Sequence, residues 1–181
     1  MTRIVSLLTG TSALVAGFFW GLAEGTFFFV VPDVLITAAA LFSFKASLKQ
    51  IGAVLLGSLL AGSLFFAWGF KDPEGARRAV GRVPFVTPAM LEKVEKDFDA
   101  YGVWAMCRGP MSGIPYKAYA VQAGPRFSWP AFLLSSVPAR LERFLIVWAL
   151  FTALCAPLRS KVLARPGWAL SLHAAYWIVV Y

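Results

Sequence analysis

Apolar residues fall in long blocks along this chain, and polar residues mark the breaks between them. From Ile4 to Phe44 almost every position is apolar or small, and the run is broken only by Glu24, Pro32 and Asp33. About forty such residues are long enough for two bilayer crossings of roughly 20 residues each. The break permits two solutions, a sharp loop outside the membrane or a re-entrant hairpin that dips in and returns. Ile51 to Phe70 predicts the cleanest spanning helix, flanked by Lys45, Lys49 and Lys71. Gly57, Ala61 and Gly62 give it small residues suited to close helix packing.

The stretch from Lys71 to Ala100 is hydrophilic, with six basic and six acidic residues and prolines at 73, 84 and 88. Thr87 followed by Pro88, then Leu91, Val94 and Phe98, predicts a capped amphipathic helix with Thr87 as N-cap. About thirty residues are too few for a separate core, so this is expected to be a linker lying on the membrane surface. From Tyr101 to Gly124 the apolar background returns, broken by Arg108, Pro110, Pro115 and Lys117 and by Gly102, Gly109 and Gly113. A second broken or re-entrant element fits better than a straight helix. Trp129 to Ala156 predicts a long apolar helix interrupted around Pro138 to Arg143. A basic loop carrying Arg159, Lys161 and Arg165 follows, then a short apolar segment, Trp168 to Tyr181.

Composition agrees. Of 181 residues, 59% are hydrophobic and 14% charged, with mean hydropathy +0.70. A soluble domain carries about 25% charged residues. The expected class is therefore an all-α, multi-pass membrane protein of one domain. A first half spans residues 1–70, a linker 71–100 and a second half 101–181. Each half pairs a proline-broken hairpin with a cleaner helix, an inverted-repeat-like plan that points to a transport site between the halves, although residue identity between them is poor. The chain's first residues lead into more membrane-seeking sequence, so no cleaved signal is expected.

Seventeen Lys and Arg against nine Asp and Glu leave a formal net charge of +8. Several of those bases (Arg3, Lys45, Lys49, Arg159, Lys161 and Arg165) lie at the ends of apolar blocks, where they suit anionic lipids and topology signals rather than nucleic acid. By the same bias the linker and the basic loop at Arg159 to Arg165 are expected to be cytoplasmic. The tryptophans suit membrane interfaces. Cys107 and Cys155 have no metal spacing, and the lone His173 has no second ligand near it, so no metal or other cofactor is expected. No nucleophile elbow, P-loop or zinc-protease motif appears, and the chain is expected not to be an enzyme.

The intramembrane charges carry the candidate chemistry. A carboxylate within a membrane helix costs about 2.5 to 3.5 kcal/mol on insertion scales, which makes Glu24 and Asp33 candidates for proton exchange. Arg108 and Lys117, with Gly109 and Gly113 allowing close approach of backbone, could take a phosphate, or could pair structurally with Glu24 and Asp33. Arg140 and Arg143 share a helix face and suit either a site or an interfacial anchor, with Glu142 as their local partner.

These residues resemble the motifs of the DedA family, also called VTT-domain or SNARE-associated Golgi proteins. Glu24-Gly-Thr-Phe-Phe-Phe-Val-Val-Pro32-Asp33 is similar to its acidic first motif. Tyr101-Gly102 with Trp104, then Arg108 through Ile114-Pro115-Tyr116-Lys117 to Gly124, is similar to its second. Ala139-Arg140 with Arg143-Phe144 resembles a branch of small bacterial members. Two departures stand out: Val31-Pro32-Asp33 replaces Pro-Gly-Glu, and Lys117 stands where an arginine is frequent. The resemblance implies two opposed re-entrant hairpins in a bacterial inner membrane and flippase or scramblase activity on anionic lipids, with some members recycling undecaprenyl phosphate by proton motive force. It implies that Arg108, Lys117 and Arg140 hold the phosphate and that Glu24 and Asp33 couple protons. The partners expected are membrane lipids and their phosphate head groups. A homo-oligomer is compatible with the sequence.

Overall fold

The structure, a computed structural model, describes residues 3–180. Met1, Thr2 and Tyr181, at the two ends of the apolar sequence, lie outside the described residues, as do the side chains of Pro110 and Met111. All regular structure among the described residues is helical.

The first apolar block forms three helices, α1 (Arg3–Thr9), α2 (Thr11–Gly25) and α3 (Asp33–Phe42). Helices α1 and α2 meet at a bend of 52°. The expected break appears as residues 26–32, and ten residues in α3 make it about 15 Å long, well short of a crossing. Helix α4 (Phe44–Lys71) runs 28 residues and begins earlier than expected, so Lys45 and Lys49 lie within it. Ser43 supplies the start, its hydroxyl accepting from the Ala46 N–H at 3.2 Å.

The linker holds two helices, α5 (Pro73–Val80) and α6 (Pro88–Tyr101). Both open in the same way. Asp72 accepts from Gly75 N–H at 2.9 Å before Pro73, and Thr87 accepts from Met90 N–H at 3.3 Å before Pro88. The apolar face of α6 packs into the chain itself. Leu91, Val94 and Phe98 are buried in the largest core cluster, against the neighbouring helices.

Residues 101–124 are broken as expected, into a 3₁₀ segment (Gly102–Arg108), a single turn α7 (Gly109–Ser112) and α8 (Tyr116–Ala123). Gly113 ends the turn at φ 73°, a conformation glycine adopts freely. Every residue of α8 is buried, so this short helix is enclosed by the rest of the chain. Helix α9 (Trp129–Cys155) corrects one expectation, since it continues through Pro138 and Arg143 without interruption. A proline removes one hydrogen bond at a cost of about 3 kcal/mol. Buried residues on both sides of the gap, Phe132 and Ser135 before it and Ala139 and Phe144 after it, hold the helix across it. The basic segment is helical, α10 (Arg159–Ala164), and α11 (Pro166–Val180) closes the chain with 15 residues.

Two helices are long and apolar enough to cross a membrane, Phe44–Lys71 and the α9–α10 run Trp129–Ala164. The bent α1–α2 pair raises that to three if it counts as one span. The outward faces fit such a setting. Leu56 (62% exposed), Leu60 and Leu64 recur every four residues along α4, and Leu150 and Leu154 do so on α9. A water-facing helix would carry charged residues on that stripe.

Helix α2 lies tightly along α4. A Cβ at Gly21 would fall 2.2 Å from the Val54 carbonyl oxygen, and one at Gly57 would fall 2.0 Å from that of Phe18. Only glycine permits this approach, which fixes the end of α2 and with it Glu24.

Candidate functional site

Five charged side chains from four helices converge where the two halves meet. Glu24 occupies the last turn of α2 and is buried. Asp33 opens α3, where the helix N-terminus favours a carboxylate, and is 1% exposed. The bases come from the second half, with Lys117 at the start of α8 and Arg140 and Arg143 one turn apart on α9.

The pairing differs from that expected for Arg108 and Lys117. Glu24 forms an ion pair with Arg140, whose Nη2 also donates to the Ser58 hydroxyl on α4 at 3.1 Å. The Arg140 guanidinium lies between the faces of Tyr116 and Phe144, 5.0 and 4.9 Å from the ring centroids. The Tyr116 hydroxyl donates to Ser136 at 2.9 Å, which fixes its ring. Arg143 donates to Asp33 Oδ2 at 2.8 Å, while Asp33 Oδ1 is buried without a partner. Burial separates the two pairs: the Arg140 side chain is 4% exposed and that of Arg143 32%. Glu142 is exposed and joins neither arginine. Glu142 follows Arg140 by two residues and precedes Arg143 by one, and residues so spaced do not face each other on a helix.

Lys117 is 2% exposed and has no carboxylate within ion-pair distance among the described residues. Its ammonium donates instead to the Phe28 carbonyl at 2.7 Å, tying α8 to residues 26–32. The cluster therefore holds three cations and two carboxylates, a net charge of +1 in a largely buried place.

A cavity of about 220 Å³ opens beside it. Glu24, Lys117 and Arg143 form its polar floor, and Phe29, Val83, Phe85 and Val86 form much of its apolar wall. That wall was not read from the sequence. A Val-Pro-Phe-Val turn inside a charged linker gives no periodic signal that it faces a site. Ser58 and Tyr116, which position Arg140, were also missed as site residues, since a lone serine or tyrosine in an apolar stretch does not show which distant side chain it meets.

Arg108 is not brought to this cavity. Its guanidinium lies 4.3 Å above the Tyr101 ring, in a separate cleft with Lys93, Cys107 and Ser112. The 3₁₀ winding at residues 102–108 turns it outward. His173 is buried, 2.8 Å from the Thr37 hydroxyl, and with Trp177 it fastens α11 to α3. Both cysteines are free thiols, partly buried. Compared with family models, with curated proteins and with solved structures, the chain matches none, so its likeness to the DedA motifs stands on the residues quoted for it.

Proposed function

We propose that the chain is a multi-pass inner-membrane transporter of the DedA kind, which holds the head group of an anionic lipid in the Glu24–Lys117–Arg143 cavity and moves it across the bilayer. A polyprenyl phosphate or a phospholipid is the substrate class, and two opposed re-entrant elements, residues 24–42 and 102–123, carry the acids and Lys117. The observation that carries this reading is the excess cation. Lys117 is buried beside a cavity without an ion-paired carboxylate of its own, and the formal charge of +1 on the five-residue cluster is balanced by one anion. The apolar wall above that charge suits an amphiphile better than a hydrated ion.

Proton coupling follows from the same charge count. A monoanionic head group brings the cluster to neutrality. A phosphate monoester, with its second pKa near 6, brings up to two negative charges. Protonation of Glu24 or Asp33 restores neutrality and releases an arginine to the phosphate. Asp33 suits the role, since its Oδ1 is already without a partner.

The test is translocation in proteoliposomes of labelled polyprenyl phosphate and labelled phospholipid, with and without a pH gradient. The expected result is gradient-dependent movement that Lys117→Ala abolishes and Arg108→Ala leaves intact. No movement of either lipid by folded wild-type protein would defeat the proposal. One observation favours a purely structural role instead: both arginines already hold carboxylates that tie α2 and α3 to α9. In that case exchanging Asp33 and Arg143 would preserve whatever the protein does.

A further inference from the structure

Residues 81–87 join α5 to α6 and cross the apolar side of the cavity. Within them Val83 to Val86 form a turn closed by a hydrogen bond from the Val86 N–H to the Val83 carbonyl at 3.1 Å. Pro84 takes the second position, which its ring favours. Phe85 takes the third with φ 67°, and it is the one non-glycine residue among those described with positive φ. Glycine or asparagine is the ordinary occupant there, because a Cβ is crowded at positive φ and a bulky side chain is a clear outlier.

The strain is not an accident of a loose loop. Val83 and Val86 are both buried in the main core, so the turn is fastened at each end. Phe85 between them is 68% exposed. Its ring meets that of Phe29 with centroids 5.5 Å apart, and both residues line the cavity. Phe29 belongs to the same 26–32 segment whose Phe28 carbonyl holds Lys117. Backbone strain persists where the surrounding structure imposes it, and it gathers at ligand clamps. Here a strained, exposed, apolar ring is held over a cationic floor.

We propose that Phe85, with Phe29, is a specificity-determining residue of this cavity: the two rings seat the first carbons of the chain attached to the anionic head group. This rests on the anion-site reading above and adds to it how an amphiphile is told from a free anion. The floor recognises phosphate chemistry, which a lipid head group and inorganic phosphate share. The ring pair recognises what is attached to it.

The experiment measures equilibrium binding of inorganic phosphate and of hexyl phosphate to the full chain in nanodiscs of neutral lipid. Wild-type protein is expected to prefer hexyl phosphate. Phe85→Gly should cut that preference on the order of tenfold, about what two methylenes contribute when taken out of water. Its affinity for inorganic phosphate should stay within about twofold, since the floor is untouched. Glycine relieves the positive φ, so the variant should melt no lower than wild type. Phe29→Ala, which acts on the partner ring, should give the same selective loss. An unchanged preference in both variants overturns the proposal. So does a Phe85→Gly variant that melts lower and loses both probes together, since the ring would then serve folding. Lys117→Ala should weaken both probes alike. A wild-type protein that binds neither probe overturns the anion site itself, a failure distinct from that of the ring pair.

Discussion

Removing one member of the Glu24–Arg140 pair should destabilise the protein far more than removing both. Both side chains are almost wholly buried, at 6% and 4% exposure. Arg140 has little else to hold its charge. Ser58 accepts one hydrogen bond, two aromatic faces flank the guanidinium, and its Nε is buried without a partner. In Glu24→Leu the guanidinium keeps its charge and loses its counter-ion, a change that costs about 3 to 5 kcal/mol. In Arg140→Met the stranded group is Glu24, and the loss is of the same order. Replacing both by apolar residues of similar volume is about neutral, or stabilising by about 1 to 4 kcal/mol, because no desolvated charge remains. The double variant should therefore sit at least about 6 kcal/mol above the sum of the single losses, a strong non-additivity for two touching residues. The assay is reversible denaturation in mixed micelles followed by tryptophan fluorescence, with free energies for all four corners of the cycle. Single losses below about 1 kcal/mol that simply add would refute the reasoning, and would mean the pair is solvated in the folded protein. The double variant also separates folding from function, since it should fold and yet fail to translocate lipid.

Three further outcomes follow from the geometry. Arg143→Ala and Arg140→Ala should each lower both translocation and stability, because each leaves a buried carboxylate without its partner, as measured in matched proteoliposome and unfolding assays. Gly57→Ala should destabilise by about 1 to 3 kcal/mol in the same unfolding assay, because its Cβ would meet the Phe18 carbonyl at 2.0 Å and force α2 from α4. Gln50→Leu should stabilise the fold by about 1 to 3 kcal/mol, since burying an amide without partners carries that penalty. Neither polar atom of the Gln50 side chain has a partner between α2 and α4. A loss of stability in Gln50→Leu would show that the amide holds a buried water or a neighbour's charge.

Much of the helical plan was legible because it rests on local signals. Apolar run length marked the two long helices, and Thr87-Pro88 marked the start of α6. Asp72-Pro73 carries the same signature for α5, but it lies so close behind a spanning helix that the two looked continuous with one polar stretch. Pro138 misled because proline's effect is local and small beside the packing of a 27-residue helix. At the site, Glu24 and Asp33 were conspicuous as isolated charges among aromatic and branched residues. Their partners were not. The ion pairs join residues 116 and 110 positions apart, and no one-dimensional pattern distinguishes Arg108 from Arg140 as the base that will meet Glu24. The 3₁₀ winding that turns Arg108 outward and the close α2–α4 approach that aims Glu24 at α9 are both tertiary outcomes.

The unequal burial of the two ion pairs is what makes an exchange mechanism physically workable. Both acids belong to the first half of the chain and all three bases to the second, so each pair is a bond between halves. A ligand that competes for a deeply buried arginine must strand a carboxylate at a penalty of several kcal/mol, which a single head group does not readily offset. Arg140, enclosed by Glu24, Ser58, Tyr116 and Phe144, is in that position. Arg143 is not. Its side chain is about one-third exposed and lines the cavity, so an anion can reach it there, although its partner Asp33 is buried. An anion entering beside Lys117 can thus reach Arg143, and a proton on Asp33 removes the buried carboxylate charge that the exchange would otherwise strand. The Glu24–Arg140 pair meanwhile keeps α2 against α9. On the transport reading proposed above, occupancy of the cavity would loosen α3 from α9 while the Glu24–Arg140 pair holds, and the more accessible pair would be where ligand binding is converted into motion.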